Sequence, residues 1–97
     1  IVPTADVIID EVCKFYNIEP DSLRGQGRTK DISLARQIAM YLAKQHTKAP
    51  LTTIGSAIGG RNHATVLHSC KAVTNLIETD KAFRRQVEEI EKKVLAQ

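Results

Sequence analysis

A pair of glycines in the second half of the chain, Gly59-Gly60, is followed at once by polar residues that open a periodic apolar segment. Glycine adopts the left-handed backbone of a helix end at little cost, so the pair predicts a sharp stop between two helices. The segments before it, about Thr53 to Ile58, and after it, beginning at Asn62, both have helical spacing. Two helices joined by such a turn form a helix-turn-helix, which limits the possible folds more than any other feature here.

The rest of the chain also favours helices. Thr4 is a good cap for a first helix, and Asn17 to Arg24 is expected to be a turn with a short helical piece at Pro20 to Leu23. Asp31 or Ser33 are cap candidates for a long third helix, and Asp80 is one for the last. The apolar residues expected to face the core from the four long helices are Ala5, Ile8, Val12 and Phe15; Ala35, Ile38, Ala39, Leu42 and Ala43; Val66, Cys70, Val73 and Ile77; and Phe83, Val87, Ile90 and Val94. No strand pattern or repeat is present, so we expect an all-α domain of six helices that contains a helix-turn-helix.

Size and composition indicate one small domain over residues 1–97. The chain begins at Ile1 without an initiator methionine, so we expect it to be a piece of a longer protein. No apolar stretch approaches the roughly 20 residues needed to span a bilayer, so no membrane span is expected. Cys13 and Cys70 fall at apolar helix positions, which favours reduced thiols in a cytoplasm over a secreted disulfide scaffold.

Charge is distributed unevenly, although the whole chain carries only +3. Residues 1–22 carry five acidic side chains and one basic one, a net −4, whereas residues 23–71 carry eight basic side chains and one acidic one, a net +7. A focused basic segment is typical of a protein that binds a polyanion, because neutralised phosphates release condensed counterions. A basic face that is merely solvated remains an alternative.

The start of the helix after the glycine turn carries side chains that suit DNA. Helix N-termini present unpaired N–H groups and partial positive charge, which suit phosphates. His63 can donate to or accept from a base edge, Asn62 can pair with adenine through two hydrogen bonds, and the Ala64 methyl can touch a thymine methyl. Arg61 and Thr65 suit phosphates. The alternative is that Asn62 and Thr65 only form the helix cap and that His63 is an ordinary surface residue.

Other cations extend this surface. Arg28 and Lys30 lie in a glycine-containing loop, Gly25 to Lys30, that has no apolar period and resembles arms that enter the minor groove, although a solvated loop is equally compatible. Arg36, Gln37 and Lys44 fall off the apolar stripe of the third helix, and we expect them to face solvent or a ligand.

Catalysis and metal binding are not supported. His63 and His68 are five residues apart, about 140° around a helix, so they do not share a face as metal ligands would. Gly59-Gly60-Arg61 lacks the longer loop ending in Lys-Ser or Lys-Thr that cradles nucleotides. Cys70 lies on an apolar stripe, where a nucleophile is not expected. We therefore expect a binding module without catalytic residues, metal or cofactor.

The stretch from Gly59 to His68, Gly-Gly-Arg-Asn-His-Ala-Thr-Val-Leu-His, closely resembles the signature of the C-terminal DNA-binding domain of the bacterial chromosomal replication initiators of the DnaA family. The stretch from Ala35 to Lys44, the pair Ile54-Gly55 and the order of helices match as well, so the resemblance covers nearly the whole chain. It implies a six-helix, helix-turn-helix domain that binds duplex DnaA boxes at the replication origin.

The resemblance also implies roles for individual positions. The loop arginine that reads the minor groove corresponds to Arg28, with Lys30 beside it, and the base-reading trio falls on Asn62, His63 and Ala64. The positions that correspond to phosphate contacts are Arg36, Gln37, Lys44, Leu51, Thr52, Arg61 and Thr65. The resemblance implies ATP binding and contacts with other protomers only for parts of the initiator outside this chain. It also implies a cytoplasmic location in a bacterium.

Two positions depart from the common family pattern. Many members have aspartate in place of Asn62 and threonine in place of Ala64. Aspartate only accepts, for example from the cytosine amino group, whereas asparagine both accepts and donates, so we expect looser discrimination at that base pair. The loop is also less basic than in many relatives. Two other functions remain open from the sequence: a helix-turn-helix transcription regulator, and a helical module whose basic band meets an acidic protein.

Overall fold

The computed structural model describes residues 4–25 and 29–96, and within these ranges the chain forms six α-helices and no strand. The helices are α1 (Ala5–Tyr16), α2 (Pro20–Arg24), α3 (Lys30–His46), α4 (Leu51–Ala57), α5 (His63–Thr79) and α6 (Lys81–Leu95). The expected all-α, six-helix architecture with a helix-turn-helix is confirmed.

Side-chain caps fix the starts of the long helices. Thr4 accepts a hydrogen bond from the Val7 amide at 3.3 Å, and Asp80 accepts one from the Phe83 amide at 3.1 Å. Each cap satisfies one of the amides that a helix N-terminus leaves unpaired. Both predicted caps are confirmed.

Two predicted helix starts are wrong. The cap of α3 is neither Asp31 nor Ser33 but Thr29, whose hydroxyl accepts from the Ile32 amide at 3.3 Å, so the helix begins at Lys30. Asp31 instead lies in the first turn, where its negative charge suits the helix dipole. The fourth helix begins at Leu51, two residues before the expected start, because Pro50 has the extended backbone (φ −62°, ψ 157°) of a residue that precedes a helix.

The third helix lies at the centre of the fold. It packs against α1, α2, α4 and α5, and its five predicted inward residues are all buried. Helices α5 and α6 bury Val66, Cys70 and Val73, and Phe83, Val87, Ile90 and Val94, as expected. Ile77, which its spacing places on the same inward face, is only partly buried, since it lies in the last turn of α5.

Polar contacts join α6 to the rest of the bundle. The His46 ring lies 2.7 Å from the Glu91 carboxylate, which links the end of α3 to α6. The Tyr16 hydroxyl donates to the Gln86 side-chain oxygen at 3.0 Å and links α1 to α6. The first link thus ties α6 to α3, the helix against which both helices of the helix-turn-helix pack.

Candidate nucleic-acid interface

The turn between α4 and α5 depends on glycine at three positions. Gly59 and Gly60 have φ values of +90° and +74°, in the region that side chains disfavour. Gly55 is buried in α4, and its carbonyl accepts from the Arg61 amide at 2.9 Å. A Cβ atom on Gly55 would collide with the Arg61 carbonyl. The backbone therefore approaches α4 closely just before α5 begins.

The first turn of α5 is open to solvent. Asn62, His63, Ala64 and Thr65 are all exposed, although Val66 immediately after them is buried. The Asn62 Oδ1 accepts from the Thr65 amide at 2.8 Å, so the predicted cap is confirmed. A two-bond contact of Asn62 with adenine would share this oxygen with the cap, which is compatible because a carbonyl oxygen accepts two hydrogen bonds.

Two arginines converge on one backbone carbonyl at the end of α2. Arg36 donates from Nε to the Leu23 carbonyl at 2.9 Å and from Nη2 to the Gly25 carbonyl at 3.1 Å. Arg61 donates to the same Gly25 carbonyl at 2.7 Å and to the Gly59 carbonyl at 2.9 Å. These bonds join α3, the helix-turn-helix and the end of α2, and we call the set of Leu23, Gly25, Arg36, Gly59 and Arg61 the arginine junction.

Sequence reasoning missed the contribution of Arg24 beside this junction. Its Nε donates to the Ala57 carbonyl at 3.3 Å, and its guanidinium lies 3.6 Å from the Asp6 carboxylate. A Cβ on Gly59 would collide with the Arg24 carbonyl. The end of α2 is thus in close contact with the turn, and the glycine signal in the sequence marked a packing site as well as a helix stop.

The two guanidinium groups of the junction influence each other electrostatically. Burial lowers the pKa of the Arg36 guanidinium, and the positive charge of Arg61 lowers it further. Both guanidinium groups donate to the neutral Gly25 carbonyl. Arg36 is half-buried and donates inward, so it is less exposed than its position off the apolar stripe predicts.

The other predicted contact residues fall on several elements around the same region. Lys30 and Lys44 are exposed at the start and near the end of α3, and Gln37 is half-buried between them. Leu51, half-buried, and Thr52, exposed, form the first turn of α4. Arg28, the predicted minor-groove residue, lies outside the described residues. The contacts of all these side chains with DNA remain predictions.

The described part of the chain offers no alternative metal site. Residues 4–25 and 29–96 contain no group of three or more histidine, cysteine or acidic side chains that could hold a metal ion. Cys13 and Cys70 are free and buried, and burial raises the pKa of both thiols, which disfavours the reactive thiolate. None of the helices in these ranges is long and apolar enough to cross a membrane.

Residues 5–73 match the family described as bacterial dnaA protein helix-turn-helix. The chain is 47% identical over 88 residues to the chromosomal replication initiator protein DnaA of Bacteroides fragilis, an alignment that covers 91% of this chain and 18% of the relative. It is 46% identical over 89 residues to the protein of the same name from Flavobacterium psychrophilum, covering 92% of this chain and 19% of the relative. The chain thus spans about a fifth of the length of these relatives, and the matched module is a helix-turn-helix domain, not a catalytic one.

Proposed function

Because this chain belongs to the family of bacterial DnaA helix-turn-helix domains, we propose that it binds duplex DnaA boxes at the replication origin in a sequence-specific manner. The observation that carries the proposal is the exposed first turn of α5, residues 62–65, at the end of a turn packed by three glycines. That turn stands in a segment of net charge +7. The two relatives whose alignments cover more than nine-tenths of this chain are named chromosomal replication initiator proteins.

In the proposed mechanism, the first turn of α5 enters the major groove. His63 donates to or accepts from a base edge, Asn62 contributes its amide, and the Ala64 methyl contacts a thymine methyl. These exposed side chains are short enough to leave the helix end close to the bases. Because Asn62 and Ala64 differ from the residues common in the family, the preferred box variant differs at the base pairs that these two positions read.

Phosphate contacts set the position of the domain on the duplex but carry no sequence information. We assign them to polar or partly exposed residues around the turn and along α3: Arg36, Gln37, Lys44, Leu51, Thr52, Arg61 and Thr65. Leu51 contributes through its backbone amide at the start of α4. The arginine junction also holds the end of α2, and the chain continues from there to Arg28, the residue that we assign to the minor groove with Lys30 beside it.

Titration of the 97-residue chain against short duplexes, followed by fluorescence anisotropy, tests this function. We expect a box-containing duplex to bind more tightly than a shuffled one, by a factor of about 10³ or more, and affinity to fall steeply with salt. Equal affinity for both duplexes would refute sequence-specific recognition. Selective binding to promoter sequences without box preference would favour a transcription regulator, and binding only to acidic proteins would favour an interaction module.

The remaining activities belong to regions of the longer initiator outside this chain. We propose that ATP binding and contacts between protomers reside there, and that the whole protein acts in the bacterial cytoplasm. Expression of the full-length protein with and without this domain tests the division of labour: removal should abolish origin binding and leave nucleotide binding intact.

A further inference from the structure

A groove of about 270 Å³ lies between α3 and α5, away from the arginine junction. Tyr41 and Lys44 line it from α3, and Lys71, Thr74 and Asn75 line it from α5. Both lysines are exposed, and none of the side chains that line the groove is acidic. The described residues thus form a concave surface with two cations and additional hydrogen-bond donors.

The groove continues the two helix faces to which DNA contacts are assigned. Gln37 and Lys44 are seven residues apart on α3, and Ala64 and Lys71 are seven residues apart on α5. Seven residues are about two helical turns, so each pair shares a face and is separated by about 10.5 Å along the axis. The major groove of DNA is about 12 Å wide. A helix that contacts bases at Ala64 therefore brings Lys71 towards the backbone at the rim.

We propose that the α3–α5 groove binds a backbone phosphate at the rim of the major groove, held jointly by Lys44 and Lys71, and that Lys71 is a DNA-binding residue. The proposal rests on the proposed function, since it places the bound phosphate on the same duplex that the start of α5 reads. The Asn75 amide supplies a neutral hydrogen-bond donor to the same phosphate or to the next one along the strand, whereas the Thr74 hydroxyl donates to the Cys70 carbonyl at 2.9 Å.

The local electrostatics support a site for an anion. Burial raises the pKa of the Cys70 thiol, which lines the groove, and the positive charge of Lys44 opposes that rise. The Glu91 carboxylate helps burial to raise the pKa of Tyr41. That carboxylate lies on α6, where it contacts the His46 ring at 2.7 Å, and it does not line the groove.

An acidic protein segment would meet the same charges, but the position of the groove favours DNA. The two lysines are aligned with Gln37 and Ala64 on two separate helices, as expected for one continuous surface against a duplex. A protein partner would not require this alignment.

The test compares Lys71→Ala with the wild-type chain in duplex titrations over a range of salt concentrations. Neutralising one phosphate contributes a slope of about 0.9 to the plot of log affinity against log salt. Because Lys44 remains at the same phosphate, we expect the variant to lose up to about 0.9 in slope, so that its deficit relative to wild type shrinks by up to about threefold between roughly 50 and 200 mM salt. Lys71→Arg should restore the slope. Lys92→Ala, which removes an exposed lysine in the last turn of α6, is the matched control and should leave the slope unchanged.

Duplexes with single methylphosphonate groups then locate the contact. We expect one neutralised phosphate at the rim of the box to weaken the wild-type chain more than Lys71→Ala, which keeps one of the two lysines at the groove, Lys44. An unchanged slope in Lys71→Ala overturns the proposal, and loss of acidic-peptide binding by that variant would then assign the groove to a protein partner. The slopes are measured on shuffled duplex as well as on the box. If the wild-type chain does not prefer the box, the proposed function is refuted, whereas the slope difference between wild type and Lys71→Ala still tests the phosphate contact.

Discussion

The two regions that meet at the start of α5 differ in how their polar side chains are used. In the first turn of α5, His63 and its neighbours are exposed, and the Asn62 side chain caps the helix through the Thr65 amide. In the arginine junction, Arg36 and Arg61 are half-buried and direct their donors to backbone carbonyls of Leu23, Gly25 and Gly59. The side chains of the first region are available for contacts with bases, whereas those of the second hold α2, α3 and the turn before α5 together.

The first turn of α5 is thus suited to sequence specificity, and the arginine junction to holding that turn in position. A substitution in the exposed turn should change binding and leave stability almost unaffected, unless it removes the cap. A substitution in the junction should change stability first, because it breaks contacts that hold α2 against the turn. Measuring both quantities for each variant therefore shows which role a residue has.

The largest effect is expected for Gly59→Ala. The new Cβ would meet the Arg24 carbonyl at a residue whose φ is +90°, so packing and backbone strain add. We expect a loss of on the order of 2–4 kcal/mol in the free energy of unfolding, measured by urea denaturation.

Gly60→Ala is the matched control for that change. Its φ of +74° is similar, but a Cβ added at this residue would meet no atom within 4 Å, so only the conformational cost applies. We expect a loss of about 1 kcal/mol. Equal losses in the two variants would show that the contact between the turn and α2 contributes nothing.

His63→Ala should affect binding alone. The residue is exposed at the first position of α5, so the free energy of unfolding should stay within about 0.5 kcal/mol of wild type. We expect box affinity to fall by on the order of 1–3 kcal/mol and discrimination to relax, measured by anisotropy on box and shuffled duplexes. Equal losses on the two duplexes would contradict base reading.

Arg61→Lys distinguishes the junction from a simple cation. Lysine keeps the charge but cannot reach the carbonyls of Gly25 and Gly59 together, as the forked guanidinium does. We expect a loss of about 1–2 kcal/mol in the free energy of unfolding, with the salt dependence of DNA binding nearly unchanged. A variant that is as stable as wild type would show that the bonds of Arg61 to these two carbonyls contribute nothing to the fold.

The elements of the fold could be predicted from the sequence because buried positions follow the helical period. Ala35, Ile38 and Leu42 illustrate this, since each is fully buried on the face that packs against the other helices. The start of α3 could not be predicted, because Thr29, Asp31 and Ser33 are all competent caps within five residues and only tertiary packing selects among them.

The candidate site was only partly predictable for a similar reason. The exposed residues of the first turn of α5 follow from local rules for helix starts and from the glycine turn. The inward bonds of Arg36 do not, because they depend on how α2 packs against α3, and the accepting carbonyls belong to residues 11 and 13 positions away. Arg24 carries no local signal at all, since its partner Ala57 is 33 residues away.

Asn62 gives the smallest and most diagnostic effect, because it belongs to both regions. Its Oδ1 caps α5 through the Thr65 amide, so Asn62→Ala should cost about 1 kcal/mol of unfolding free energy. Asn62→Asp keeps an accepting oxygen and adds a negative charge at a helix N-terminus, so stability should be retained or rise slightly. Base preference should nevertheless move towards a partner that donates, such as the cytosine amino group, because aspartate has lost the amide donor. Urea denaturation and titration against duplexes with all four base pairs at the contacted position measure the two effects, and an Asp variant with unchanged base preference would restrict Asn62 to the cap.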